Sequence, residues 1–360
     1  MRWIHGHICT VEDGVFPDGY LETADGVIKA AGPMEDITPL PGDIDLEGAY
    51  ILPGLVDAHT SLGLKEDSMR REGNDWNEHG WTIGPDLRAA DGFNPQDRAV
   101  RYALEGGVTT VAVAPGNENL VGGQMAAVRL CADRPGEMMA DPFCALKISL
   151  GEQAKKTGGP PCTRMAVGAM LREWLGGAGG RSEALEAVLQ RRKPVFIHAN
   201  RCDDIAFAVR LSQEFGFRCV IVHGADALLA AELLHESDIP VLAGSILLTP
   251  DQYETRNMDM DLPAKLARAG VRFALTTDHH MSPIQSLSVA AALAVRDGLS
   301  EDRALEAITL EPARLLGLEN RIGSLRAQKD ADFAIWSASP FSYLGRVQKV
   351  FIRGRLAAEF

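Results

Sequence analysis

The chain has 360 residues, 46% of them hydrophobic and 24% charged, which are the proportions of a globular protein and exclude a disordered chain. Its formal net charge of −13 excludes a general binder of the nucleic-acid phosphate backbone, because such proteins need clustered Lys and Arg. No apolar run approaches the ~18 residues that span a bilayer, so no membrane partner is expected. The expected partner is a small molecule, and a homo-oligomer is possible.

The six Cys residues are scattered along the chain without a CxxC pair. Such spacing predicts neither a zinc ribbon nor a disulfide framework. A reduced, cytoplasmic location is therefore the expectation.

Both ends of the chain are composed of short β segments separated by turn signals. At the N-terminus these segments include HICTVED and VIKAAG, and at the C-terminus GSLRAQKDADFAIW is followed by VQKVFIRGRLAAEF. The pattern predicts that residues 1–52 and 322–360 together form one small β-sandwich subdomain.

The middle of the chain, residues 53–321, alternates short apolar runs with helix-like segments, which is typical of a parallel sheet built from βα units. Seven such runs are present: ILPGLVDAH, VTTVAVAP, FCALKISLG, PVFIHAN, CVIVHG, PVLAG and VRFALTTD. The length predicts a (β/α)8 TIM-like barrel, with the eighth strand expected within 125–140 or 157–180. A doubly wound open sheet is the competing architecture.

Five of these runs end in a side chain that can bind a metal or titrate. They are His59, Glu152 (shortly after Lys147), His198, His223 and Asp278. In a barrel the carboxyl ends of the strands converge on one mouth, which would bring these groups together. Imidazole and carboxylate are zinc ligands, and bound zinc lowers the pKa of water toward ~7. A carboxylate beside that water, here Asp278, can then accept its proton.

At this point the sequence resembles a known family. PGLVDAH at 53–59, TTDHH at 276–280 and the closing GSLRAQKDADFAIW are similar to motifs of the amidohydrolase superfamily. The imidazolonepropionase-like members resemble the chain most, in stretches such as GNDWNE, DGFNP, GVTTVAVAPGNENLVGGQ and HANRCDDI. The resemblance implies a metal-dependent hydrolase that cleaves an amide, cyclic amide or amidine C–N bond of a small molecule.

The resemblance also implies roles for individual residues. It makes His59 the ligand of the first strand, His198 and His223 the ligands of the fifth and sixth strands, and Asp278 the acid/base of the eighth. The acidic ligand falls within LKISLGE, where Glu152 and a carbamylated Lys147 are rivals. Glu152 is preferred, because GE after a strand resembles the glutamate ligand of the sugar deacetylases.

The sequence departs from the family pattern at two positions. Ser61 stands where the HxH pair has its second His, and Asn200 stands where related sequences have another His. Hydroxyl and amide groups are poor zinc ligands, so we expect one divalent ion, zinc, held by Glu152, His198 and His223. The two departures also favour an alternative function, a degenerate barrel that binds a small molecule or a partner chain without turnover.

Three further residues are candidates for substrate binding: Gln124 in the GGQ stretch, Arg201 after the fifth strand, and His279. The alternatives are a structural GGQ loop and a helix-start pair of Arg201 with Asp204. The segment Glu66–Gly92 is long for a βα loop and predicts a lid, with Trp76, His79 and Trp81 lining or covering the pocket. The two Trp side chains anchoring the loop on the barrel rim are the alternative.

Overall fold

The protein is described by a computed structural model over residues 1–131, 134–178, 180, 182–250 and 252–360. Its described strands are β1 (Arg2–Cys9), β2 (Val15–Ala24), β3 (Val27–Pro33), β4 (Ile44–Asp45), β5 (Tyr50–Pro53), β6 (Leu55–Thr60), β7 (Val108–Val113), β8 (Val121–Arg129), β9 (Met139–Ser149), β10 (Val195–Ala199), β11 (Cys219–His223), β12 (Val241–Ala243), β13 (Phe273–Leu275), β14 (Phe333–Trp336), β15 (Val347–Ile352) and β16 (Arg355–Glu359). The described helices are α1 (Ala89–Gly92), α2 (Arg98–Glu105), α3 (Arg164–Leu175), α4 (Glu183–Leu189), α5 (Cys202–Phe215), α6 (Ala231–Glu236), α7 (Leu262–Arg268), α8 (Leu287–Arg296), α9 (Glu301–Glu306) and α10 (Leu310–Leu316).

Strands from both ends of the chain share one sheet, in the order β16-β15-β14-β5-β1-β2-β3, with β4 beside β1. Strand β5 joins the two ends, because it pairs with β1 on one side and with β14 on the other. Trp3 packs edge-on against Phe333 with 4.9 Å between ring centroids, and Phe333 stacks on Phe351 at 4.7 Å. The termini thus share a sheet and an aromatic core, while the boundaries at 52 and 322 stay predictions.

The second sheet is the predicted barrel, with strands β6 to β13 hydrogen bonded in chain order. Strand β8 runs antiparallel to both β7 and β9, whereas every other pair is parallel. Residues 114–120, which connect β7 to β8, are too few for a crossover helix, so the strand can only return as a hairpin. The strand that the sequence left unplaced is therefore β8, the third of the barrel, and it begins at Val121, slightly before the first of the two predicted intervals.

The barrel interior is filled by one apolar cluster to which every strand contributes. Its strand members include Val56, Ala112, Met125, Ala145, Phe196, Val220, Leu242 and Ala274, all buried. Leu315 and Leu316 at the end of α10 belong to the same cluster, so this helix helps to fill the interior. The interior is thus packed, and the polar residues lie at the strand ends.

The barrel closes between β6 and β13 without a strand ladder among the described residues. The carbonyl oxygen of Ile308 accepts a hydrogen bond from Val56 N at 2.9 Å, and that of Ala307 accepts one from Leu275 N at 2.8 Å. Hydrogen bonds to the Asp57 carboxylate complete the seam. Within the described ranges, no helix is both long and apolar enough to cross a bilayer.

Candidate metal centre

Asp57 is a fully buried carboxylate on β6 that binds the chain just after β13. It accepts hydrogen bonds from Thr276 Oγ1 at 2.5 Å, Thr277 N at 2.9 Å and Thr277 Oγ1 at 2.6 Å. Burial raises the pKa of Asp57 to about 6, and these hydrogen bonds act in the opposite direction. Asp57 therefore fixes the first and last barrel strands against each other. On the first strand it lies two residues before His59, and on the last its partner Thr277 lies directly before Asp278.

The fixed seam brings His59, His223 and Asp278 together. His59 Nδ1 lies 2.9 Å from Asp278 Oδ1, and His223 Nε2 lies 3.0 Å from Asp278 Oδ2. All three side chains are buried, and one ligand atom from each lies within 4.8 Å of the others. Three buried ligand groups this close together suit a single ion.

The protonation states of the cluster also fit a metal ion. Burial lowers the pKa of His59 to about 4, so its imidazole is neutral. Burial acts to raise the pKa of Asp278, but the charge of His223 and contacts with His223 and His59 outweigh burial and hold it well below its usual range. The cluster therefore combines a neutral imidazole with an ionised carboxylate, as divalent metals require.

Two buried nitrogens in the cluster lack a hydrogen-bond partner among the described residues. Neutral His59 donates from Nδ1 to Asp278, which leaves a lone pair on Nε2, and this atom has no partner. His223 Nε2 likewise has no well-directed hydrogen bond. Buried polar atoms without partners are rare and call for an explanation, which a metal ion supplies.

The backbone is strained at two of these residues. His223 has φ +73° and Asp278 has φ +49°, a left-handed region that residues other than glycine seldom adopt. His223 is the last residue of β11 and Asp278 lies three residues after the end of β13, so both strained residues stand at the barrel mouth. Such strain is typical of functional sites, where the surrounding structure holds it in place.

His198, on β10, borders the cluster. Its ring packs edge-on against His223 with 4.8 Å between centroids, and its Nδ1 lies 3.2 Å from Leu150 O. Burial, followed by the charges of His223 and Lys147, lowers the pKa of His198, which keeps it neutral. Asn200 Nδ2 lies 3.4 Å from His198 Nε2, so the amide contacts the nitrogen that faces the cavity.

The structure does not place Glu152 with these residues. Glu152 is exposed, because Gly151 with φ +86° turns the chain away from the barrel after β9. Its rival Lys147 is fully buried within β9, where Nζ donates to Asn117 Oδ1 and, at 3.2 Å, to Ser149 Oγ. Burial lowers the pKa of Lys147 to about 7, although the charge of Asp278 acts to raise it. The geometry thus favours Lys147 over the residue that the sequence suggested.

A small cavity lies over the cluster. It has a volume of about 50 Å³ and is lined by Trp76, Asn117, Gln153, His198, Asn200, His223, Gly244, Ser245, Leu248, Pro250, Gln252, Thr255, Met258, Asp278 and Met281. One water molecule takes up about 30 Å³, so a substrate can enter only if a wall moves. Trp76 and the lining residues within 245–250 and 252–258 belong to long connections between elements, so these are the walls that we expect to move.

With this geometry in place, the comparison with known proteins is decisive, since the model of the Amidohydrolase family matches residues 50–357. The chain belongs to the amidohydrolase family. It is therefore a hydrolase of carbon–nitrogen bonds, and the predicted likeness to imidazolonepropionases is confirmed.

Alignments with related proteins extend over most of this chain. It is 29% identical to an imidazolonepropionase of Sphingopyxis alaskensis over 93% of this chain and 91% of that protein. It is 27% identical to the amidohydrolase tasK of Hapsidospora irregularis over 86% of this chain, but spans only 36% of that protein's length. Among solved structures, an amidohydrolase from Thermotoga maritima MSB8 matches with a TM-score of 0.92 and 34% identity, over the full length of both chains.

The three predicted substrate-binding residues of the amidohydrolase lie outside the cavity lining. Gln124 is in β8, where its Nε2 donates to Pro85 O at 3.2 Å, and Gly123, with φ +118°, allows the close approach of Leu87. The GGQ stretch therefore binds the long loop that precedes it. Arg201 pairs with Asp203 at 2.9 Å and not with Asp204.

His279 is buried next to the cluster but faces away from the cavity. Its Nδ1 lies 3.3 Å from Ser282 O, and its Nε2 lies 3.6 Å from Asp67 Oδ1. The first contact is local to the segment after Asp278, and the second links that segment to the loop that carries Asp67.

The predicted lid contributes one of its three aromatic candidates. Trp76 lines the cavity, whereas Trp81 is 54% exposed and His79 pairs with Glu118 at 3.1 Å. Sequence reasoning missed the amides Asn117, Gln153 and Gln252, which line the same cavity. Only Asn117 had a detectable signal, since it lies in the GNENLVGGQ stretch that carries the family resemblance.

Replacement of Asp57 by Ala tests its role at the seam. We expect the free energy of unfolding to fall by about 2–4 kcal/mol, because two Thr hydroxyls and an amide lose their buried acceptor. Denaturant unfolding in the presence of a chelator, which removes the contribution of bound metal, measures the change. Asp45→Ala, at an exposed carboxylate of β4, is the control and should stay within about 0.5 kcal/mol of wild type. An equal effect of the two variants would contradict the role.

Proposed function

We propose that this amidohydrolase uses one divalent ion, zinc, to hydrolyse a non-peptide amide, cyclic amide or amidine bond of a small molecule. The observation that carries the proposal is the buried cluster of His59, His223 and Asp278, in which two imidazole nitrogens have no hydrogen-bond partner among the described residues. His198 is the next available ligand, since it borders His223. When bound, the ion supplies an activated water and polarises the substrate carbonyl or amidine carbon.

Asp278 is the residue that moves the proton. Its low pKa keeps it ionised, so it can accept a proton from the attacking water and return it to the leaving nitrogen. His59 orients the carboxylate by donating from Nδ1 to Oδ1. Burial of the cluster excludes bulk water, which strengthens these charge interactions.

Lys147 takes the position that the sequence assigned to Glu152. It is completely buried inside the barrel, and its lowered pKa leaves part of the amine neutral near pH 7. A neutral amine can add carbon dioxide to form a carbamate and release one proton. Lys147 is thus the candidate for the acidic ligand in its carbamylated form.

Ser61 and Asn200, which favoured a barrel without turnover, do not break the cluster. Ser61 is occupied by hydrogen bonds to His279 and His280, and Asn200 contacts His198. Neither residue displaces His59, His223 or Asp278. Hydrolysis therefore accounts for the geometry better than binding alone.

The cavity favours an uncharged substrate. None of the described residues that line it is Lys or Arg, and Asp278 contributes a negative charge. Asn117, Gln153, Asn200 and Gln252 offer amide donors and acceptors instead. The relatives named imidazolonepropionase favour a cyclic amide, but a substrate carboxylate would have no cationic partner among these residues.

Asp278→Asn tests the reaction directly. The amide cannot accept a proton, so turnover should fall by about 10²–10⁴-fold, the usual contribution of general acid–base catalysis. Metal content should change little, because the imidazoles remain and Asn keeps a carbonyl oxygen. Turnover on a C–N substrate and metal per chain are measured on the same preparation.

Glu152→Gln is the matched control, since it makes the same chemical change at an exposed carboxylate. It should keep both metal and turnover. Wild-type turnover in Asp278→Asn with full metal would remove Asp278 from the mechanism, and metal loss in Glu152→Gln would restore Glu152 as a ligand.

A second experiment tests the charge of the substrate. Pairs of cyclic amides that differ only in a carboxylate substituent should show kcat/KM about 10- to 100-fold higher for the neutral member, because an unpaired buried charge is rejected. A consistent preference for the carboxylate member would contradict the proposed cavity.

A further inference from the structure

Ser61 makes a closed set of hydrogen bonds at the position where an HxH pair would have its second metal ligand. Its Oγ lies 2.8 Å from His279 O and 2.8 Å from His280 Nδ1, and it accepts from His280 N at 3.1 Å. Ser61 is 2% exposed, so no bulk water competes for these contacts. The residue is therefore fully engaged by the chain that follows Asp278.

Counting donors fixes the direction of each bond. The carbonyl oxygen of His279 can only accept, so the single Ser61 proton points to it. Ser61 Oγ must then accept from His280 Nδ1, which places the proton of His280 on Nδ1. His280 Nε2 is left as an acceptor, and Lys65 Nζ lies 2.5 Å from it as a donor. The result is one continuous hydrogen-bond network from Lys65 through His280 and Ser61 to His279 O.

The contacts of the His280 ring agree with this count. A neutral ring carries one proton, and the geometry requires that proton on Nδ1. A charged ring would place two donors, His280 Nε2 and Lys65 Nζ, against each other.

The same chain contacts the wall of the cavity. Trp76, which lines the cavity, packs edge-on against His280 with 4.7 Å between ring centroids. Lys65 Nζ lies 5.0 Å from the Trp76 ring centroid, within range of a cation–π interaction. One network thus touches the peptide after Asp278 on one side and Trp76 on the other.

We propose that Lys65, His280 and Ser61 are positioning residues whose directed hydrogen-bond network replaces the second His of the HxH pair. The network holds the 279–280 peptide beside Asp278 and keeps the Trp76 wall in place. The effect on turnover rests on the function proposed above, whereas the hydrogen-bond chain itself does not. The network explains how a site without the second His keeps Asp278 in register with His59 and His223.

The protonation of His280 provides a test that needs no substrate. In ¹⁵N spectra of the metal-loaded protein at pH 7.5, with the signal assigned by its loss in His280→Asn, we expect a neutral ring protonated at Nδ1. Lys65→Met should shift the Nε2 resonance, because that nitrogen loses its donor. A ring protonated at Nε2, or a Lys65→Met spectrum identical to wild type, would overturn the proposed hydrogen-bond network whether or not the enzyme is active.

Kinetics test the positioning role. Lys65→Met should raise KM by about 2- to 30-fold through the loss of the cation over Trp76, and Lys65→Arg should restore most of it. Ser61→Ala should lower kcat by about 10- to 100-fold, the cost of a misplaced catalytic group, with metal per chain unchanged. Lys349→Met, at a half-exposed lysine of β15 that pairs with Glu359, is the control and should change neither constant.

The two measurements separate the possible failures. If the wild type hydrolyses no C–N substrate, the proposed function fails, while the ¹⁵N spectra still test the hydrogen-bond network. If the enzyme is active but Ser61→Ala and Lys65→Met behave like Lys349→Met, the positioning role is overturned. Metal loss in Ser61→Ala would overturn it too, because Ser61 would then be a ligand.

Discussion

The site depends on the hydrogen bonds that the buried Asp57 carboxylate accepts from Thr276 and Thr277. The first and last barrel strands share no ladder among the described residues, so the hydrogen bonds of this carboxylate connect the two strands in place of backbone pairing. Because Asp57 and His59 are two residues apart on β6, and Asp278 follows Thr277 directly, the same bonds set the 2.9 Å contact between His59 and Asp278. Barrel closure and assembly of the site are therefore one structural event.

Much of this arrangement could be predicted from the sequence. Apolar runs that end in His59, His198, His223 and Asp278 place these residues at the mouth of a parallel barrel, and the structure brings them there. The hairpin strand β8 was harder to predict, because its only signal is a connection too short for a helix. The β-sandwich subdomain could be predicted, because both termini carry the same pattern of short β segments separated by turns.

The choice between Glu152 and Lys147 is one that the sequence alone left open. Lys147 and Ser149 are two residues apart in β9, so their side chains share a face, and a lysine within the apolar run FCALKIS was the available signal. Glu152 lies beyond Gly151, whose positive φ redirects the chain. The hydrogen-bond network of Lys65, His280 and Ser61 could not be predicted. His280 lies more than two hundred residues from the other two, and no local pattern links them.

The account depends on a single ion between two imidazoles and a carboxylate. Its most direct test is anomalous scattering from crystals grown with zinc, with data collected above and below the zinc absorption edge. The account predicts one anomalous peak per chain, in contact with His59, His223 and Asp278. Two peaks within the barrel, a peak beside Glu152, or no peak at saturating zinc would contradict it.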